Sequence, residues 1–123
     1  MSHIRHLDLL ESGCSYHVNI DTGMKRLGAP IEELPVLTQA IQKRKDIYGK
    51  GVYTHFYKAD DPGISTVAEQ LDLFQRLQSQ FPIEWLRHTA NSGAIFHYAK
   101  QLPLSFDAVR PGVCIYGYSA GNQ

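Results

Sequence analysis

The sequence predicts an α/β fold in which parallel strands alternate with helices, because three signals recur along it. Short stretches alternate apolar and polar residues with the two-residue period of a strand. Between them, apolar residues return every three or four positions, as along one face of a helix. Glycine and proline punctuate the junctions. Strands separated by helices run parallel and connect right-handedly. Two architectures host such units, a doubly wound sheet and a (β/α)8 barrel, and the barrel needs about 250 residues. With 123 residues, the barrel form of the prediction is half of a TIM-type barrel with about four strands.

Taken in order, residues 3–12 read as the end of a helix, with Ile4, Leu7 and Leu10 on one stripe and Gly13 as its stop. Residues 16–21 alternate strictly, with Tyr16, Val18 and Ile20 on one face and His17, Asn19 and Asp21 on the other. A glycine-bearing loop from Thr22 to Pro30 leads into a helix carrying Ile31, Leu34, Leu37 and Ile41, with Pro35 in its first turn. Gly49 and Gly51 read as breaks before a strand at 52–56. Asp60-Asp61-Pro62-Gly63 reads as a loop, and Thr66-x-x-Glu69 as a capping box. The helix it opens carries the core stripe Val67, Leu71, Phe74, Leu77 and Phe81 and stops at Pro82. A strand follows at 84–88. Asn91-Ser92 then caps a helix running to about Lys100. A last strand at 106–110 is closed by Pro111-Gly112.

Composition narrows the function. Twelve basic residues balance twelve acidic ones, and a nucleic-acid binder normally carries a basic excess. An apolar fraction of 43% belongs to a folded chain rather than a disordered one. No apolar run approaches the ~20 residues of a membrane helix. The first eleven residues are amphipathic and carry acid, so no secretory leader is expected. Cys14 and Cys114 do not make a disulfide framework and read as free thiols, which suits the cytoplasm.

Four clusters fall where strands end, the catalytic face of an α/β architecture. They are residues 21–28, 54–56, 88–93 and 109–113. Asn91-Ser92-Gly93 opens a helix after a strand and offers N–H groups and a hydroxyl to an anion. Gly112 after the next strand lets backbone approach a ligand closely. Barrel phosphate sites often lie in the loops after the last two strands. As ordinary residues these are a helix cap and a turn, and composition alone favours that reading. Arg26 has the fork that grips a carboxylate, although most loop arginines are simply solvated. His55 reads as a base, an orienting residue or a packed histidine. His3 and His6 lack a third metal ligand, His88 and His97 sit at opposite ends of their unit, and no metal is expected. There is no dinucleotide fingerprint or P-loop.

Together the clusters resemble one family. Val18-Asn19-Ile20-Asp21-Thr22-Gly23-Met24-Lys25-Arg26-Leu27-Gly28, Tyr53-Thr54-His55-Phe56, His88-Thr89-Ala90-Asn91-Ser92-Gly93-Ala94 and Val109-Arg110-Pro111-Gly112-Val113-x-Ile115-Tyr116-Gly117 are similar to successive signatures of the bacterial alanine racemases. The resemblance runs from about residue 7 to 118. It implies a pyridoxal 5′-phosphate-dependent, homodimeric isomerase that interconverts L- and D-alanine and supplies D-alanine for peptidoglycan synthesis. Residues 1–123 would be the part of its N-terminal barrel domain with the last four strands. The resemblance assigns Asn91, Ser92, Gly112 and Val113 to the cofactor phosphate and Arg110 to the pyridine nitrogen. It has His55 bracing Arg110, and Arg26 contacting the cofactor's phenolic oxygen and the substrate carboxylate. The expected partner is a small amino acid, with no nucleic acid and no membrane.

The match departs from the family in two places. The segment of the Schiff-base lysine is missing, as is the β domain with the catalytic tyrosine, so no catalytic residue is assigned here and the chain alone is expected to be inactive. Asn19 stands where many members carry a lysine, which admits a serine or broader-specificity racemase. Two further readings are a pyridoxal-phosphate carrier sharing the barrel, and a half-barrel that assembles with copies of itself.

Overall fold

The computed structural model describes residues 1–61, 66–103 and 105–119. Its strands are β1 (Ser15–Ile20), β2 (Tyr48–Thr54), β3 (Leu86–Thr89) and β4 (Ala108–Val109), and its helices α1 (Leu34–Lys43), α2 (Thr66–Leu77) and α3 (Ser92–Tyr98). The strands form one sheet in the order β1-β2-β3-β4, and every neighbouring pair is parallel. A doubly wound sheet reverses its strand order at a switch point. This sheet does not reverse, so it is an arc of the barrel type.

Alternation in β1 does what the sequence predicts: Tyr16, Val18 and Ile20 are buried. They share a core with Leu34 and Leu37 of α1, Val52 of β2, and Phe74 and Leu77 of α2. The stripe from Val67 to Phe81 is buried throughout. A smaller core under α3 gathers Phe56, Val67, Leu71, Ala90 and Ala94. Arg87 closes the far end of the α2 segment: its guanidinium donates to the carbonyls of Gln78, Phe81, Pro82, Ile83 and Trp85.

Several boundaries differ from the sequence reading. Residues Ile4–Leu9 form a 3₁₀ helix rather than an α-helix, and within it only Leu7 is buried. The helix ends at Leu9 with Leu10 as its extended cap, so Gly13, at a φ of 89°, is not its stop but lies in the turn before β1. The helix expected from Ile31 begins with a 3₁₀ turn at Ile31–Glu33. β2 starts at Tyr48, so Gly49 and Gly51 lie inside the strand. Both are there for close approach: a Cβ on Gly49 would overlap the Trp85 ring, and one on Gly51 would stand 2.6 Å from His17 Nδ1. α2 opens at Thr66, whose hydroxyl reaches the Tyr57 carbonyl at 3.5 Å. The Pro62-Gly63 part of the preceding loop lies outside the described residues. β3 is shifted to 86–89, and α3 ends at Tyr98, short of Lys100. β4 keeps only two residues. Phe106 turns into the core instead, edge-on to Phe74 at 5.6 Å.

Candidate functional site

The ends of the four strands carry the polar groups. After β1, Asp21 Oδ1 accepts from the amides of Gly23 (2.9 Å) and Lys25 (3.1 Å), which forms a tight turn. Asp21 N and Ala29 N then bond the Ala29 and Asn19 carbonyls, folding the loop back along the strand. Arg26 rides on this loop. It lines a cavity of about 190 Å³ with Asn19, Met24, Tyr53, His55 and Arg110. Asn19 is 8% exposed, and its Oδ1 has no hydrogen-bond partner among the described residues.

After β4, Arg110 N donates to the Ala90 carbonyl (2.8 Å), which ties the two short strands together. The guanidinium reaches back across the sheet: Nη2 donates to the Thr54 carbonyl (2.7 Å) and Nη1 to His88 Nδ1 (2.7 Å). It also lies 4.5 Å above the Tyr53 ring, an arrangement the ring's quadrupole favours. His88 stacks on the same Tyr53 at 4.7 Å and bonds His17 at 2.7 Å. Burial lowers the Arg110 pKa from its usual value, yet arginine keeps its proton in proteins. Burial, then the Arg110 charge, pushes His88 down to about 4. His55 is lowered by burial and by the charges of Arg110 and Arg26. At neutral pH the cavity therefore has two guanidinium cations beside uncharged imidazoles.

Next to it lies a second feature. Ser92 is buried, and its Oγ accepts from the Gly112 amide (2.8 Å) and the Cys114 amide (3.4 Å). Asn91 caps α3 by accepting from Ala94 N (3.1 Å), and its amide donates to the Phe56 carbonyl (3.1 Å). Between β3 and this cap, Ala90 is fully buried with a φ of 35°. A hydroxyl and turn amides converging on one point can hold the oxygens of an anion. Arg110, which lines the cavity, stands two residues before Gly112.

Of the residues selected from the sequence, Ser92 and Gly112 meet at the cradle with Asn91 capping the same helix, and Arg26, His55 and Arg110 line the cavity; Val113 is exposed, and it is the Cys114 amide that joins Gly112 on Ser92 Oγ. One role changes. Among the described residues His55 makes no hydrogen bond to Arg110; its Nε2 lies 3.4 Å from the Asn91 amide, while His88 and the Thr54 carbonyl hold the guanidinium. β2 ends at Thr54, so its last carbonyl is free to take Arg110 and His55 has already left the strand line. The sequence reading assigns no role to His17, Tyr53, Thr54 or His88, although the last three stand in the motifs it quotes. Placing the parallel strand ends side by side would have found them, because Tyr53 pairs with His88 across β2 and β3.

A family model for the alanine racemase N-terminal domain matches residues 3–120. Alanine racemase of Carboxydothermus hydrogenoformans is 37% identical over 116 residues, covering 90% of this chain and 30% of that protein. Among solved structures, alanine racemase from D-cycloserine-producing Streptomyces lavendulae covers 97% of this chain and 34% of its own, at a TM-score of 0.85 and 28% identity. Alanine racemase from Bartonella henselae, with covalently bound pyridoxal phosphate, covers 86% and 30%, at a TM-score of 0.71 and 31% identity. The chain spans about 30% of the length of the relatives it matches, and its sheet is an arc of their (β/α)8 barrel. Among the described residues, no helix is long and apolar enough to cross a membrane.

Proposed function

The chain belongs to the alanine racemase N-terminal-domain family, and from that premise we propose that it forms the pyridoxal 5′-phosphate-holding part of an alanine racemase. The observation that carries the reading is the convergence of the Gly112 and Cys114 amides on Ser92 Oγ, two residues along the chain from the Arg110 that lines the cavity. The residues present suit a phosphorylated pyridine in three ways. Among the described residues outside its own turn, only Ser92 Oγ comes within 4 Å of where a Cβ at Gly112 would stand, at 3.6 Å, so the cradle is open on that side. Arg110 Nε–H takes part in no bond among the described residues, so a donor remains for a ring nitrogen. Asn19 Oδ1, buried and without a hydrogen-bond partner among the described residues, lines the cavity beside Arg26.

Pyridoxal phosphate supplies an electron sink that acidifies the Cα–H of a bound amino acid. The chain's residues do the rest of the local work. The phosphate is assigned to Ser92 and the turn at Gly112 and Val113, and Asn91 caps the helix that carries Ser92. Arg110 donates a hydrogen bond and never a proton, so it orients the pyridine nitrogen without charging it. Arg26 grips the substrate carboxylate in a two-pronged bond. On this reading the substrate is alanine and the working protein a cytoplasmic homodimer serving peptidoglycan synthesis. Racemisation needs two opposed bases, and no lysine here lies in the family's Schiff-base motif, so the chain by itself holds the cofactor without racemising alanine.

Titration of the purified chain with pyridoxal phosphate, followed by absorbance, tests this. Saturable binding is expected, weakened about tenfold or more in Arg110→Ala, the loss of one charged hydrogen bond. Unsaturable uptake, or equal affinity in the variant, overturns the reading. Racemisation of alanine by the 123-residue chain overturns the division of labour.

A further inference from the structure

The Arg110–His88–His17 chain has one consistent proton arrangement. Arginine has donors only, so the 2.7 Å contact from Arg110 Nη1 makes His88 Nδ1 an acceptor. His88 is neutral at physiological pH, so its proton sits on Nε2. That nitrogen lies 2.7 Å from His17 Nδ1, which must accept, leaving the His17 proton on its own Nε2. The packing fits rings held in one orientation. Gly51 leaves the space that the His17 ring occupies. Tyr53 stacks on His88 with 14° between the planes and carries the guanidinium on the same ring. The groups facing the pair are the Met1 ammonium, bonded to the His17 carbonyl at 2.6 Å, then Tyr53, Asp107 and Arg110.

Resting on the cofactor reading above, we propose that His88 and His17 are positioning residues: two imidazoles locked in a single tautomer that hold the Arg110 guanidinium as a pure donor toward the pyridine nitrogen. The arginine sets the tautomer of His88, and His88 sets that of His17. In return, a neutral acceptor behind Nη1 keeps the guanidinium from swinging toward water. A protonated His88 would confront it donor to donor.

Nitrogen-15 NMR of histidine-labelled chain at neutral pH reads the tautomers without any cofactor. Both His17 and His88 are expected with Nδ1 bare and Nε2 protonated. His88→Ala frees His17 to mix tautomers, and Arg110→Leu frees both. Pyridoxal phosphate affinity should fall about tenfold in His88→Ala and about threefold in His17→Ala, the range for losing one bonded partner. His88→Asn places an oxygen where Nδ1 stood and should restore most of the affinity while His17 stays released. That variant keeps the test decisive where His88→Ala fails to fold. A proton on His88 Nδ1 in the wild type, or wild-type affinity in His88→Ala, overturns the proposal, as does an Asn variant no tighter than Ala. A wild-type chain with both tautomers as stated but no pyridoxal phosphate uptake overturns the cofactor reading and leaves the locked pair standing.

Discussion

The two sides of the sheet are secured differently. β1 and β2 pair from Ser15↔Tyr48 to Ile20↔Thr54 and sit on the larger apolar core, whereas β3 and β4 share only His88↔Ala108 and Thr89↔Val109. Ala108 and Val109 are exposed, so burial contributes little to their docking. The second side is held instead by directed polar bonds: Asp107 N and Oδ2 with Arg87, Arg110 N with Ala90, and Gly112 N with Ser92. A catalytic face needs backbone amides and hydroxyls turned toward a ligand. On the cradle side these groups lie at the strand ends and bond one another, the Gly112 and Cys114 amides on Ser92 Oγ, rather than being covered by apolar packing. Arg110 joins the two sides by reaching from the end of β4 to the Thr54 carbonyl on β2.

The strongest way to break this contrast is to damage the apolar side. Gly49→Ala drives a methyl into Trp85, which is already confined by Tyr16 and Phe81. Overpacking of this kind should cost about 3 kcal/mol in urea unfolding. Acid tests the polar side. Folded His88 titrates near 4 against 6.5 for a free imidazole, so the unfolded chain binds a proton the folded chain refuses. The His88 contribution to stability should therefore be lost as pH drops from about 6.5 to about 4, by on the order of 2 kcal/mol. In His88→Asn that slope should shrink. Ser92→Ala is smaller in stability, about 1 kcal/mol, but should lower pyridoxal phosphate affinity about tenfold, which Gly49→Ala at folding temperatures should not. Last, Asp72→Asn removes an exposed ion pair with Arg76 and should change the melting midpoint by less than about 0.5 kcal/mol equivalent. A larger loss there would show that helix-surface charge supports the fold.

The order and parallel sense of the strands could be read from the sequence, because alternation and helical spacing are local patterns and crossover connections follow from them. The start of β2 could not. Gly49 and Gly51 look like breakers along the chain, and the reasons they suit a strand, Trp85 and His17, are remote in sequence. The cradle residues were legible because Asn91-Ser92 and Pro111-Gly112 sit at strand ends as recognisable groups. The brace on Arg110 was not, because choosing His88 over His55 depends on where β2 stops and on cross-strand register. Both are settled by packing rather than by local propensity.

Ala90 offers one last consequence. Alanine at a φ of 35° is an unfavoured corner, kept in place by the Arg110 amide on its carbonyl and by the fully enclosed space around its methyl group. If β4 detached, that corner would spring toward an ordinary conformation and carry Asn91 and Ser92 with it. The position of Ser92 is therefore tied, through the Ala90 corner, to the shortest strand of the sheet.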